Sequence, residues 1–162
     1  MIAEIAAPGA SITFAVGATA APEMVVAEVS PALAIPDANP VGVASVLAIT
    51  ASGTVAQIKV GVDITHTFVG DLSVELRSPA GRRAVLHAQL GGGADNLVTT
   101  YDSASAGVLA SMVGQPMQGD WMLSVADRVG QDVGTLNKWR LELQSAPIGD
   151  AVVAAAERPI AA

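Results

Sequence analysis

An all-β fold, built as an antiparallel sandwich or barrel, is what this chain predicts, on three observations. Several short stretches alternate polar and apolar residues at period two, the spacing of a strand with one buried face. Turn-forming residues punctuate them at regular intervals: Ala51-Ser52-Gly53, Val69-Gly70-Asp71, Ser78-Pro79-Ala80-Gly81, Gly91-Gly92-Gly93, Gln118-Gly119-Asp120 and Val133-Gly134. The segment with room for a helical turn inside this pattern, residues 103–112, carries no strong amphipathic stripe.

In chain order, Ile12, Phe14 and Val16 alternate with small or polar neighbours, and residues 24–29 are a second β-prone run, so the N-terminal region is expected to add strands or an arm. Residues 41–50 read as a weaker strand. Ile58, Val60, Val62 and Ile64 then repeat at period two around Lys59 and Asp63. The run Asp71-Leu72-Ser73-Val74-Glu75-Leu76-Arg77 alternates strictly. Residues 83–90 form another weak strand, with His87 expected to be exposed or half-buried. Residues 103–112 have room for one helical turn. Trp121, Leu123 and Val125 form a strand face, and so do Trp139, Leu141 and Leu143. The tail around Ala154-Ala155-Ala156 favours a short helix or arm, ended by Pro159. The expected organisation is an arm or added strands over 1–34, a β domain over 35–145 and a tail over 146–162.

Composition narrows the function. The 162 residues suit one domain, with 51% hydrophobic and 14% charged residues, which excludes a disordered chain. There is no cysteine, so disulfides, thiolate metal sites and cysteine nucleophiles are excluded. The net charge of −7, with scattered Lys and Arg, offers no footprint for nucleic acid or anionic lipid and leaves cation binding open. Residues 5–22 are uncharged, yet they contain Pro8, Gly9, Ser11, Thr13, Gly17 and Thr19 and lack a flanking cation, so no membrane span is expected. No Lys or Arg precedes Lys59, so the positive start of a secretory signal is missing.

Catalysis finds no assembled set of groups. Only His66 and His87 could serve as a base, and no Gly-x-Ser-x-Gly elbow is present. His66 reads as a structural histidine that hydrogen-bonds a turn. Gly91-Gly92-Gly93 is not followed by Lys-Ser/Thr, so it is not a phosphate loop. The chain is therefore expected not to be an enzyme. Calcium fits better, because Ca²⁺ takes six to eight oxygen ligands and the few carboxylates fall in turns: Asp37, Asp71, Asp95 with Asn96, Asp102, and Asp127 with Asp132 bracketing one turn. Turn-capping by Asx hydrogen bonds explains the same residues, and both readings stay open on spacing alone.

A resemblance favours calcium. Ile35-Pro36-Asp37, the run from Asp63 to Leu72 with His66-Thr67-Phe68-Val69-Gly70-Asp71-Leu72, and Ser78-Pro79-Ala80-Gly81 resemble the P domain (P/Homo B domain) of proprotein convertases. The likeness continues through Gly91-Gly92-Gly93-Ala94-Asp95-Asn96, Thr100-Tyr101-Asp102, Gly119-Asp120-Trp121 and Gly134-Thr135-Leu136-Asn137-Lys138-Trp139, about two-thirds of the chain. The resemblance implies a β-jelly-roll sandwich of about eight strands, itself non-catalytic, beside a subtilisin-like or metalloprotease domain. It implies a structural Ca²⁺ held by Asp37, Asp71 and Asp102, helped by Asp95 and Asn96. Bacterial relatives often carry two consecutive acids where this chain has Asp102-Ser103. Family members are mostly secreted. With no subtilisin block before it, the chain is expected to be a free-standing P domain that binds a protein partner. The alternative expectation is a structural subunit of a repetitive assembly, such as a phage capsid, tail decoration or surface layer, self-assembling as a homo-oligomer through its apolar arms.

Overall fold

The computed structural model describes residues 21–105 and 107–147. The strand expected at residues 12–16 and the short helix expected near residue 154 lie outside them. Met24–Ser145 forms one compact unit. Its strands are β1 (Met24–Val29), β2 (Leu33–Ile35), β3 (Asn39–Ile49), β4 (Val55–His66), β5 (Leu72–Arg77), β6 (Arg83–Ala88), β7 (Leu97–Asp102), β8 (Gly119–Asp127) and β9 (Gly134–Ser145). Two single 3₁₀ segments, Val69–Asp71 and Gly107–Met112, interrupt the β pattern. Among the described residues no helix is long and apolar enough to cross a membrane.

The strands form two antiparallel sheets. One has the order β1-β9-β4-β7, with β2 pairing the other half of β9; the second has the order β3-β8-β5-β6. Consecutive strands β3 and β4, then β4 and β5, switch sheets, which is the jelly-roll arrangement. The alternation read from the sequence sets the register. Ile58, Val60, Val62 and Ile64 of β4 lie opposite Leu143, Leu141, Trp139 and Leu136 of β9, and all eight are buried. Leu72, Val74 and Leu76 of β5 and Trp121, Leu123 and Val125 of β8 supply the facing layer.

Both tryptophans are fully inside, and each N–H has a partner, as burial demands. Trp121 Nε1 donates to the Met117 carbonyl at 2.8 Å; Trp139 Nε1 donates to Ser45 Oγ at 2.9 Å, joining β9 of one sheet to β3 of the other.

Two strand expectations need correction. His87 is buried, not exposed, because β6 carries a bulge: Val74 pairs with His87 and Glu75 with Val85, leaving Leu86 as the extra residue. Leu86 and His87 therefore both point inward, and His87 Nε2–H donates to the Val69 carbonyl at 2.9 Å. Asp102, expected in a turn, instead ends an edge strand, β7, over residues 97–102, a stretch to which the alternation assigns no strand. Its central residues Val98, Thr99 and Thr100 are all exposed, which erases the alternation that marks a half-buried strand.

Candidate functional site

The loops at one end of the sandwich bring four acidic side chains, Asp37, Asp71, Asp127 and Asp132, within electrostatic reach of one another. β4 ends at His66, whose buried ring uses both nitrogens. Nδ1 accepts the Phe68 N–H at 3.1 Å, so Nε2 carries the proton and donates to Asp127 Oδ2 at 3.2 Å. Asp127, the last residue of β8, is completely buried and accepts the Val129 N–H through Oδ1 at 3.1 Å. The structural role read for His66 is what the geometry shows: it ties the turn after β4 to the end of β8.

That turn, Val69–Asp71, is clamped from two sides. The Gly-rich loop lies against it: Val69 N–H donates to the Ala94 carbonyl and Gly70 N–H to the Gly92 carbonyl, each at 2.9 Å. A Cβ on Gly70 would stand 2.9 Å from Gly92 Cα, so the close backbone approach requires glycine there. From the other side, Arg128 N–H donates to the Asp71 carbonyl at 2.9 Å.

These clamps bury Asp71, leaving 7% of it exposed, and its carboxylate has no hydrogen-bond or ion-pair partner among the described residues. Burial pushes its carboxyl above the ordinary carboxylate value of 3.8; the negative charges of Asp127, Asp132 and Asp37 push the same way, against the pull of His66. The neighbouring acids are spoken for. Asp132 Oδ1 accepts the Thr67 hydroxyl at 2.6 Å. Asp37 accepts the Gln131 N–H through both oxygens, at 3.0 and 3.2 Å. Gln131 itself has φ 97°, a strained conformation for a residue with a side chain.

The candidate ligands read from the sequence therefore divide. Asp37 and Asp71 meet at this end, joined by Asp127 and Asp132. Those two bracket the turn after the Trp121 strand, a spacing visible in the sequence that does not by itself reveal their nearness to Asp71. Asp95 is exposed in the Gly-rich loop beside the turn. Asn96 is a structural tie, accepting the His66 N–H through Oδ1 at 3.1 Å and donating its own N–H to the His66 carbonyl at 2.8 Å, with φ 62°. Asp102 lies elsewhere. It ends β7 opposite Lys59, with 3.7 Å between its carboxylate and the ammonium, and caps its own turn through the Ala104 N–H at 2.9 Å.

The donor set is all hard oxygen apart from the engaged His66, which suits Ca²⁺ rather than zinc. Among the described residues no three His, Asp or Glu side chains stand close enough to enclose an ion as placed. Carbonyls and waters of the loops would have to complete a shell around Asp71, as calcium sites commonly allow.

Residues 55–143, more than half of the chain, match the proprotein convertase P-domain. The chain belongs to that family. Its P domain is 42% identical over 100 residues to a calcium-dependent protease of Trichormus variabilis, covering 60% of this chain and 15% of the relative. It is 40% identical over 111 residues to leupeptin-inactivating enzyme 1 of Streptomyces exfoliatus, covering 66% of this chain and 23% of that one. The chain thus spans less than a quarter of the length of these relatives. Among solved structures, the Aeromonas sobria serine protease in complex with its chaperone matches 78% of this chain and 27% of its own, with a TM-score of 0.64 at 21% identity. At that identity the likeness speaks for the fold. The P domain is a companion module of proteases and is not their catalytic part.

Proposed function

We propose that this P domain is a non-catalytic docking module for a protein partner and that a structural Ca²⁺ stabilises its loop end. Asp71 would be the central ligand, with Asp37, Asp127 and Asp132 around it and Asp95 assisting from the Gly-rich loop that lies against the same turn. The observation that carries the reading is the buried, unpartnered Asp71 carboxylate beside three further acids. An uncompensated charge there costs stability in the metal-free protein, and a divalent cation removes that cost. The strained Gln131 held by Asp37 fits a loop whose shape is set by a ligand rather than by local preference. The relative named as a calcium-dependent protease supports the choice of ion. The same relative's name supports a protease as the partner, in the same polypeptide or in another.

The test is thermal unfolding and calorimetric titration with Ca²⁺ and with EDTA. A cation bound only by the native state raises stability by about 2.7 kcal/mol at a hundred times its Kd. The proposal expects that gain in the wild type and none in Asp71→Asn. A melting temperature indifferent to Ca²⁺ and EDTA would remove the calcium site.

A further inference from the structure

The outer faces of the two sheets carry opposite solutions to surface charge. On the β1-β9-β4-β7 face, cations sit beside acids: Lys59 with Asp102, Arg140 with Glu142 at 2.9 Å. On the β3-β8-β5-β6 face, a groove of about 380 Å³ is lined by Arg77, Arg83 and Arg128, with Glu75 the single acid among its lining residues. Arg83 reaches Glu75 at 3.4 Å. Arg77 and Arg128 have no carboxylate partner among the described residues. Arg77 and Arg83 also lie directly opposite each other across β5 and β6. Like charges in that position destabilise a sheet. A chain of net charge −7 thus concentrates three exposed guanidinium groups, two of them opposed, over one groove. Ser73, Ser124 and Ala126 on its floor are small, let a backbone approach beside Met122 and offer two hydroxyls. Exposed Val41 and Val85 border it.

We propose that this groove docks an acidic segment of a partner polypeptide, its carboxylates paired with Arg77, Arg83 and Arg128. It rests on the docking-module reading above and names the face and the partner's chemistry. Guanidinium forks match carboxylates in pairs of parallel hydrogen bonds, and an arriving acid relieves the Arg77–Arg83 opposition. Nucleic acid fits less well. No aromatic side chain lines the groove to stack a base, and the rest of the acidic surface repels a long polyanion.

The experiment is a two-dimensional amide NMR titration of the full chain with oligoglutamate, using oligoglutamine as the neutral control. Shifts centred on Ser73, Arg77 and Ser124 are expected with oligoglutamate alone. Affinity should fall about tenfold in R77A/R128A, and fall again between about 0.1 M and about 1 M salt, where the screening length drops from about 10 to about 3 Å. A second variant, S73E, plants a competing carboxylate on the floor, opposite the uncharged Ala88 and Ala126, and should block the peptide while leaving the fold intact. Oligoglutamate shifts confined to another face would overturn the groove and keep the docking module. An absence of shifts anywhere would overturn the acidic-segment groove, while the docking-module reading would stand or fall with a partner of other chemistry. Tighter binding of a single-stranded oligonucleotide, or the same shifts produced by concentrating the protein alone, would assign the face to a nucleic acid or a second copy and overturn the proposal.

Discussion

The interior of the sandwich and the loop end beyond β4 and β8 treat buried polar groups in opposite ways. Inside, each tryptophan N–H and the His87 ring has a partner within 3 Å. At the loop end Asp71 is buried to a similar degree, with its carboxylate unpartnered among the described residues and three acids nearby. The lesson is a division of labour. The interior is finished by the chain itself, whereas the loop end leaves a buried carboxylate unpaired, which is where the proposed Ca²⁺ would bind. That difference predicts opposite signs for mutations in the two regions.

The largest effect is expected inside. Trp139→Ala removes the biggest side chain of the β9 face and its bond to Ser45 across the sheets, at a cost of about 3–5 kcal/mol, measured by urea or thermal unfolding. Next comes the boundary between the regions. Asp127→Ala strips the buried His66 Nε2–H of its acceptor and should cost about 1–3 kcal/mol with or without Ca²⁺. If that variant were as stable as the wild type in EDTA, Asp127 would belong wholly to the cation site and the boundary would move.

Asp71→Asn should go the other way. It removes the unpartnered charge, so the melting temperature in EDTA rises while the gain from Ca²⁺ disappears. The pH dependence follows with a definite sign. Asp71's folded-state value lies above the 3.8 of the free group, so between the two the native protein holds a proton that the unfolded chain has released. The contribution of Asp71 to the stability of the metal-free protein therefore falls as pH rises through that window, and the penalty is complete above it. The gap between Asp71→Asn and wild type, melted in EDTA, should be widest at neutral pH and close as pH drops toward 3.8. A gap that stayed constant with pH would mean that the carboxylate titrates alike in the folded and unfolded protein and carries no burial penalty.

What could be read from the residues follows the same division. The core strands were legible because Ile58 to Ile64, Leu72 to Leu76 and Trp139 to Leu143 each bury every second side chain. Alternation fails where burial is one-sided in a different sense. β7 is an edge strand with three successive exposed residues, and the bulge in β6 turns His87 inward against its parity. At the loop end, the sequence placed Asp37 and Asp71 in turns but could not show which other acids share their space. That depends on β4 and β8 ending side by side through the His66–Asp127 bond, a long-range pairing that local spacing does not encode.

Asp102 makes the smallest and most discriminating prediction. It stands in a turn-like sequence and matches the family's pattern, yet the ladder puts it opposite Lys59, while Leu97 lies opposite Ile64 near the loop end. Five residues of strand at about 3.3 Å each separate the two positions, roughly 16 Å. That is too far for one ion to bridge. Its work is local: a partly exposed pair with Lys59 and a cap on the Ala104 N–H. Such pairs contribute up to about 1 kcal/mol, and salt screens them. Asp102→Ala should therefore lower stability slightly, less so in high salt, and keep the full Ca²⁺ gain that Asp71→Asn loses. Loss of that gain in Asp102→Ala would relocate the cation to the β4–β7 edge and dissolve the contrast between a self-sufficient sandwich and a cation-dependent end.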